Sequence, residues 1–392
     1  MTQSTTGREP PRRQPPAIEG YCDPSFSEVR AAFEENFVLR GEVGAAVCVY
    51  QDGRKTVDLW GGVADPVSRR PWRSDTLVCM MSVGKSVCAL AVLMLVERGL
   101  IALDEKVGYY WPQFAQAGKE GITVRTLLAG MGAILYVDFA PDGSAYQWET
   151  IIGAIERQRP EWQPGTRGAY HSVTLGYLLG ELVRRVDGRT IDVFVAEEIE
   201  RPLGIDFKFG LDNGVLARVA DIVPNTGNTT LQLTADRSTK LGRAWRIQPR
   251  IAETHYRNSR DFRTSVFPSG NGHSNARSVA RIYALLAAGG ALDGVRLVSP
   301  PLVAVARTET WSGICGMTDR PYRYGLGFFL NRSPLLPFGP NPHAFGHPGA
   351  GGAVGIADPD ARVAISYSPN FMCAGAGVGE RCEALIAAAL GG

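Results

Sequence analysis

The residues whose types and spacing point to chemistry are Ser82 and Lys85, which lie three positions apart at the start of the apolar run "LVCMMSVGKSVCALAVLMLVERGL". Side chains three apart on a helix share one face. A serine hydroxyl becomes a good nucleophile when a base takes its proton, and a lysine whose pKa is lowered by burial can be that base. The pair has two interpretations: a capping serine beside a surface lysine, or a nucleophile beside its base.

Two further segments hold residues that could complete such a site. Tyr170 lies in "GTRGAYHSVTLGYLLG", in a turn before a helix, where a nearby cation would lower the phenol pKa and let it relay protons. His347 lies among glycines in "HAFGHPGAGGAVGIADPD", before an apolar strand whose backbone could offer an N–H to an oxyanion. Each also has a simpler interpretation, as a loop tyrosine and as a hairpin with a structural histidine.

The elements that must hold these residues follow from periodicity and turn signals. Helical spacing occurs over 26–39, from near Ser82 to Gly99, over 172–186 and over 275–292. Asp52-Gly53 predicts a hairpin, and Thr123 is a candidate helix N-cap. Strand-like runs lie near both ends of the chain, whereas helices dominate its middle.

This pattern favours an α+β fold, an α/β sandwich in which both chain termini build one antiparallel sheet flanked by helices, with a mostly helical middle lobe. Residues 206–266 have a weak pattern and are interpreted as loops and short elements, a candidate lid or crossover. The predicted boundaries are a flexible leader over 1–20 and a single catalytic unit over 21–392, with an α/β lobe at about 21–80 and 280–392 and a helical lobe at about 81–279.

Composition excludes several classes of function. The 392 residues are 45% hydrophobic and 20% charged with a net charge of +2, which gives no basis for a nucleic-acid or membrane partner. Seven cysteines without a CxxC pair suggest neither a zinc site nor a disulfide framework. The polar, proline-rich N-terminus has no apolar core of a secretory signal, and the apolar run 87–96 is too short to span a bilayer. We therefore expect a soluble, cytoplasmic protein.

Order and spacing join the three motifs. Together they resemble the serine β-lactamase-like, penicillin-recognising hydrolases, and most closely the class C β-lactamase-related esterases called family VIII carboxylesterases. The likeness extends to "ITVRTLLAGMGAI", to "WQPGTRGAYHSVTLGYLLGELVRRVDGRTIDVFVAEEIERPLGI" and to "GNGHSNARSVARIYALLAAGG", and it covers roughly residues 25–390.

The chain departs from the family pattern at two places. Residues 130–133, Gly-Met-Gly-Ala, replace the family's H-x-S-G, and residues 347–349, His-Pro-Gly, replace the K-T-G of β-lactamases. The lysine of K-T-G helps to bind the β-lactam carboxylate in the family. Its loss argues against efficient β-lactamase action.

The resemblance implies that Ser82 is the nucleophile, Lys85 its partner, and Tyr170 the third member of the triad. Whether Lys85 or Tyr170 takes the proton stays open. The oxyanion hole would use the backbone N–H groups of Ser82 and Ala350, with no metal or organic cofactor. The predicted substrate-binding residues are His347, Gly349, Ser172, Tyr136, Asp138 and Phe345; Phe139, Trp311, Phe371 and His171 are further candidates for the walls of the site.

The expected function is therefore a serine carboxylesterase of the 3.1.1 type, which acts on small-molecule esters with short-chain or aromatic groups. The alternatives that share its acyl-enzyme are an amide or β-lactam hydrolase and an acyltransferase. A non-catalytic binding protein on the same fold is less favoured, because all three motif groups are present.

Overall fold

The structure is a computed structural model that describes residues 16–253, 255–333, 336–375 and 377–391. Its strands are β1 (Ile18–Cys22), β2 (Gly44–Gln51), β3 (Arg54–Asp65), β4 (Arg70–Pro71), β5 (Val78–Cys79), β6 (Phe207–Lys208), β7 (His273–Ser274), β8 (Ala291–Leu292), β9 (Val295–Arg296), β10 (Trp311–Ile314), β11 (Pro321–Tyr324), β12 (Phe329–Leu330), β13 (Phe345–Pro348), β14 (Val354–Asp358) and β15 (Val363–Pro369).

The helices fill the middle of the chain and flank the sheet. They are α1 (Ser27–Val38), α2 (Gly84–Glu97), α3 (Val107–Tyr110), α4 (Val124–Leu128), α5 (Trp148–Arg157), α6 (Thr174–Asp187), α7 (Ile191–Val195), α8 (Arg201–Leu203), α9 (Thr229–Ala235), α10 (Lys240–Ala244), α11 (Arg260–Thr264), α12 (Ala276–Ala287), α13 (Pro300–Ala306) and α14 (Glu380–Leu390). Among the described helices, none is both long and apolar enough to cross a membrane.

The main sheet joins the two ends of the chain. Its strands follow the order β1-β3-β2-β15-β14-β13-β12-β11-β10, with β4 beside β3, and neighbouring strands are antiparallel. The seam is the pairing of β2 with β15, in which Val49 lies opposite Ile365. Helix α12 packs on β2, β14 and β15, and α1 packs on α14. The predicted antiparallel sheet of both termini is confirmed.

Short sequence motifs predicted the positions of most helices and strands correctly. Asp52 and Gly53 both have positive φ, as the hairpin between β2 and β3 requires. The Thr123 side chain accepts a hydrogen bond from the backbone N–H of Thr126 and caps α4. The leader boundary at residue 20 is wrong, because β1 pairs with β3 from Ile18 onward. Residues 1–15 of that leader lie outside the described residues.

Helix α2 is connected to the sheet through one buried tyrosine. The hydroxyl of Tyr283, on α12, lies 2.8 Å from the Ser86 hydroxyl on α2 and near the backbone of His347 on β13. Gly355 on β14 leaves room for this ring, since a Cβ there would lie 2.1 Å from Tyr283 Cε2. The sheet therefore fixes the start of α2.

We predict that Gly355→Ala destabilises the protein by about 1–3 kcal/mol, because the added methyl group overpacks the Tyr283 ring. The matched control is Gly153→Ala on α5, where a Cβ would meet nothing within 4 Å and alanine should stabilise the helix by about 0.5–1 kcal/mol. Urea unfolding of both variants gives the comparison. Equal stability of Gly355→Ala and the wild type would contradict the packing argument.

Candidate active site

Ser82 and Lys85 meet at the start of α2. Ser82 lies in a 3-10 turn, Met81–Val83, which precedes the first helical residue, Gly84. The helix thus begins two residues later than Ser82, but the turn keeps the two side chains on one face. Lys85 Nζ donates to Ser82 Oγ at 2.9 Å and to the carbonyl oxygen of Ser269 at 2.5 Å.

Lys85 has no contact with bulk water. Its side chain is fully buried, since the first three turns of α2 are buried on every side. Desolvation disfavours the ammonium form and lowers the pKa of Lys85 to about 7. A substantial neutral fraction therefore exists near pH 7, and this fraction can accept a proton from Ser82. The capping interpretation with a surface lysine is not what the structure shows.

Tyr170 lies next to Ser82 and Lys85. Its side chain lies near that of Ser82, and Lys85 Nζ lies 4.9 Å from the centre of its ring. The nearby cation does not lower the phenol pKa as the sequence suggested. Burial raises the pKa of Tyr170, and the nearby Ser82 side chain opposes this only in part. Tyr170 therefore keeps its proton at neutral pH.

Backbone geometry presents Ser82 to solvent. The preceding residue, Met81, has a φ of 50°, a left-handed conformation that costs free energy for a side chain of this size. Met81 is itself buried, whereas Ser82 is partly exposed to the cavity described below. The surrounding packing therefore maintains a strained turn at Ser82.

The turn after β13 approaches the nucleophile very closely. A Cβ on Gly349 would lie 2.3 Å from the carbonyl oxygen of Met80, so glycine alone fits there. Gly349 N also donates to Ala353 O at 2.6 Å, which closes the turn that carries Ala350. Ala350 and Ser82 line the same cavity. Their backbone N–H groups remain the predicted donors of the oxyanion hole.

Ser82 opens into a cavity of about 110 Å³. A water molecule needs roughly 10–15 Å³ on this measure, so the space admits a small organic group. Most of the exposed lining is apolar. The lining residues are Met81, Ser82, Tyr170, Ser172, Thr230, Thr234, Leu241, Trp245, Ile251, Arg257, Gly270, Thr318, Arg320, Tyr322, Phe329, Leu336, Pro348, Gly349, Ala350 and Gly377.

Of the predicted substrate-binding residues, Ser172 and Gly349 line this cavity. The Ser172 hydroxyl accepts a hydrogen bond from Trp245 Nε1 at 2.9 Å. Tyr136 and Asp138 lie outside this lining, where Arg243 contacts both, and their role in substrate binding stays a prediction. Arg243 lies over the Tyr136 ring at 3.7 Å and pairs with Asp138 at 2.5 Å.

The substrate-binding roles of His347 and Phe345 also stay predictions, and β13 points both side chains into the core. Both are fully buried, and neither lines the cavity. His347 Nδ1 bonds to Pro348 O at 2.8 Å, and its ring packs on Phe329 at 5.1 Å. Burial and the charge of Lys85 lower the pKa of His347 to about 3, so it is neutral.

The other predicted wall residues lie elsewhere. Trp311 donates to Ala129 O at 2.7 Å, and His171 is a buried structural residue whose Nε2 accepts from Ile134 N at 3.3 Å. Phe139 packs under Arg157 and Phe371 under Arg381, both outside the cavity lining.

One wall was missed by sequence reasoning. The segment 230–257, inside the stretch of weak pattern, supplies six lining residues: Thr230, Thr234, Leu241, Trp245, Ile251 and Arg257. Its helices are short, so no apolar period marks them. An isolated large apolar residue, Trp245, was the sequence feature that could have indicated this wall.

Among the described residues, no group of three or more His, Cys, Asp or Glu side chains could hold a metal ion.

Known proteins similar to this chain include esterases and penicillin-binding homologues. Esterase/beta-lactamase LipL of Mycobacterium tuberculosis is 31% identical over 371 residues, which cover 90% of this chain and 83% of that protein. A solved family VIII carboxylesterase is 36% identical with a TM-score of 0.87, and the match covers 95% of this chain and 99% of that one. A penicillin-binding protein homologue from Caulobacter crescentus is 34% identical with a TM-score of 0.84, covering 95% and 99%.

The family assignment rests on the full length of the described fold. The Beta-lactamase family model matches residues 30–383, a span that holds the turn at Ser82, the loop at Tyr170 and the strand at His347. The resemblance read from the motifs is thereby confirmed. The chain belongs to the beta-lactamase family, as a hydrolase with esterase-named relatives.

Proposed function

We propose that this β-lactamase-family hydrolase is a serine carboxylesterase that forms an acyl-enzyme on Ser82. The observation that carries the proposal is the 2.9 Å hydrogen bond between the buried Lys85 Nζ and Ser82 Oγ, which faces the cavity. A base of lowered pKa beside a hydroxyl that faces a cavity is what nucleophilic acyl transfer requires.

In the proposed mechanism, Ser82 Oγ bonds to the ester carbonyl carbon while its proton passes to neutral Lys85. The N–H groups of Ser82 and Ala350 stabilise the oxyanion. The C–O bond to the alcohol then breaks, and the proton returns from Lys85 to the leaving oxygen through the Tyr170 hydroxyl. Tyr170 suits this relay because burial keeps it protonated. Water next attacks the acyl carbon by the same proton path and releases the acid.

The replacement of K-T-G supports an ester over a β-lactam as the preferred substrate. His347 occupies the position of that lysine, and its pKa of about 3 leaves it neutral and buried. It therefore supplies no cation for a β-lactam carboxylate at that strand. The apolar lining favours a short-chain or aromatic small-molecule ester.

We predict that a fluorophosphonate labels Ser82, because the probe reacts with an activated serine. Peptide mapping by mass spectrometry should find one adduct, which Ser82→Ala abolishes. The matched control is Ser172→Ala, which removes the other serine of the described cavity lining and should retain the adduct on Ser82. Absence of an adduct on folded wild-type protein would favour a non-catalytic binding protein.

We predict that kcat/KM for a chromogenic ester rises about tenfold per pH unit below pH 7 and levels off above it. The sign follows from Lys85, whose pKa of about 7 makes it protonated and inactive as a base at lower pH. Tyr170→Phe should lower the rate about a hundredfold or more yet keep this acid limb. A rate independent of pH between 5 and 8 would exclude Lys85 as the base.

We predict that ester turnover exceeds cephalosporin turnover, because the site lacks the lysine of K-T-G. A p-nitrophenyl ester and a chromogenic cephalosporin, assayed side by side, give the comparison. A β-lactamase is the second candidate, since the similar LipL is named an esterase/beta-lactamase. Faster hydrolysis of the cephalosporin than of the ester would favour the β-lactamase over the esterase.

Product analysis with a competing alcohol would reveal an acyltransferase.

A further inference from the structure

The described lining of the cavity has an unbalanced charge. It contains two arginines, Arg257 and Arg320, and no aspartate or glutamate. Arg320 is partly buried and lies near the Tyr322 hydroxyl. Nothing in the proposed ester chemistry uses either guanidinium, so their presence in an otherwise apolar cavity requires another explanation.

Arg257 is the more deeply placed of the two. Its exposed fraction is 7%, and its Nη1 donates to the carbonyl oxygen of Ile251 at 3.0 Å. Among the described residues no carboxylate forms an ion pair with it, and the neighbour that favours its cationic form is the Cys79 thiol, which burial keeps protonated and uncharged at neutral pH. Burial lowers the pKa of Arg257 to about 10, so the guanidinium remains charged at neutral pH.

A buried cation without an anion is costly, and two other arginines of this protein have a carboxylate partner. Arg381 is buried to 5% exposure and pairs with Glu42 at 2.9 Å. Arg263 likewise pairs with Asp221 at 2.6 Å. Arg257 differs from both because it borders the substrate cavity. A carboxylate that enters this cavity would supply the missing counter-charge with charge-assisted hydrogen bonds.

We propose that Arg257 binds a carboxylate of the substrate, so that the protein prefers esters that also carry a free acid, such as hemiesters of dicarboxylic acids. This inference rests on the proposed esterase function and narrows its substrate class. The cation that would bind the carboxylate, Arg257, belongs to the segment 230–257. It does not come from β13, where β-lactamases have the lysine of K-T-G. A carboxylate would therefore lie against a different wall than in a β-lactam complex.

Binding can be measured without catalysis in Ser82→Ala. We expect monomethyl succinate to bind at least about tenfold more tightly than dimethyl succinate by calorimetric titration. Adding Arg257→Met should abolish the difference, and adding Arg257→Lys should retain part of it. The matched control is Arg250→Met, which removes an arginine of the same segment that is exposed and paired with Glu253. It should leave the difference intact.

The kinetic counterpart compares p-nitrophenyl hemisuccinate with the neutral p-nitrophenyl butyrate. We expect the ratio of their kcat/KM values to fall at least about tenfold in Arg257→Met and to be kept in Arg250→Met. An acetate ester of 4-hydroxybenzoate places the carboxylate on the alcohol instead and shows which half of the substrate meets Arg257. The melting temperature of Arg257→Met should not fall, since the variant removes a buried unpaired charge.

The outcomes separate the two proposals. Equal binding of both succinates, or a preference that survives Arg257→Met, overturns the carboxylate site even if Ser82 is an active esterase nucleophile. A lower melting temperature with an unchanged substrate ratio would make Arg257 a structural residue of its loop. Carboxylate-dependent binding lost in Arg257→Met supports the site even if no ester is hydrolysed, in which case the esterase proposal alone fails.

Discussion

The exclusion of water from one lysine is the constraint on which the rest of the site depends. A lysine at the surface stays protonated, so the Ser82 hydroxyl would have no base. Enclosing Lys85 takes an apolar helix on one side and the loop at Ser269 on the other, whose carbonyl oxygen holds Nζ in place. The unusually apolar character of α2 is thus as much a chemical requirement as a folding one.

The sheet contributes to this site by holding its parts in position rather than by lining it. Tyr283 connects α12, α2 and β13, and the tight turn at Gly349 sets the distance between the last strands and the nucleophile. The residues that β13 points inward, His347 and Phe345, stabilise this arrangement through packing. Family membership follows from the shared frame, whereas substrate preference follows from the cavity wall, to which the segment 230–257 contributes six of the described lining residues.

Sequence reasoning succeeded where local chemistry decides the structure. The spacing of Ser82 and Lys85, the apolar run behind them and the Asp52-Gly53 hairpin are all set by neighbours in the chain. It was less informative where distant residues decide. Tyr136 and Asp138 were assigned to the site by their loop, but Arg243, more than a hundred residues later, holds them away. The orientation of His347 depends on strand register against β14, which no short motif encodes.

The close approach of Gly349 to Met80 also has a consequence for how the protein folds during its synthesis. The components of the site lie near positions 82, 170 and 350, and the seam between β2 and β15 joins chain segments more than three hundred residues apart. Such distant pairing forms late in folding. During synthesis, an emerging chain would therefore hold its serine and lysine without an oxyanion-binding turn until the last strands have left the ribosome. A chain shortened before β13 would keep the sequence of the nucleophile but lack the site around it.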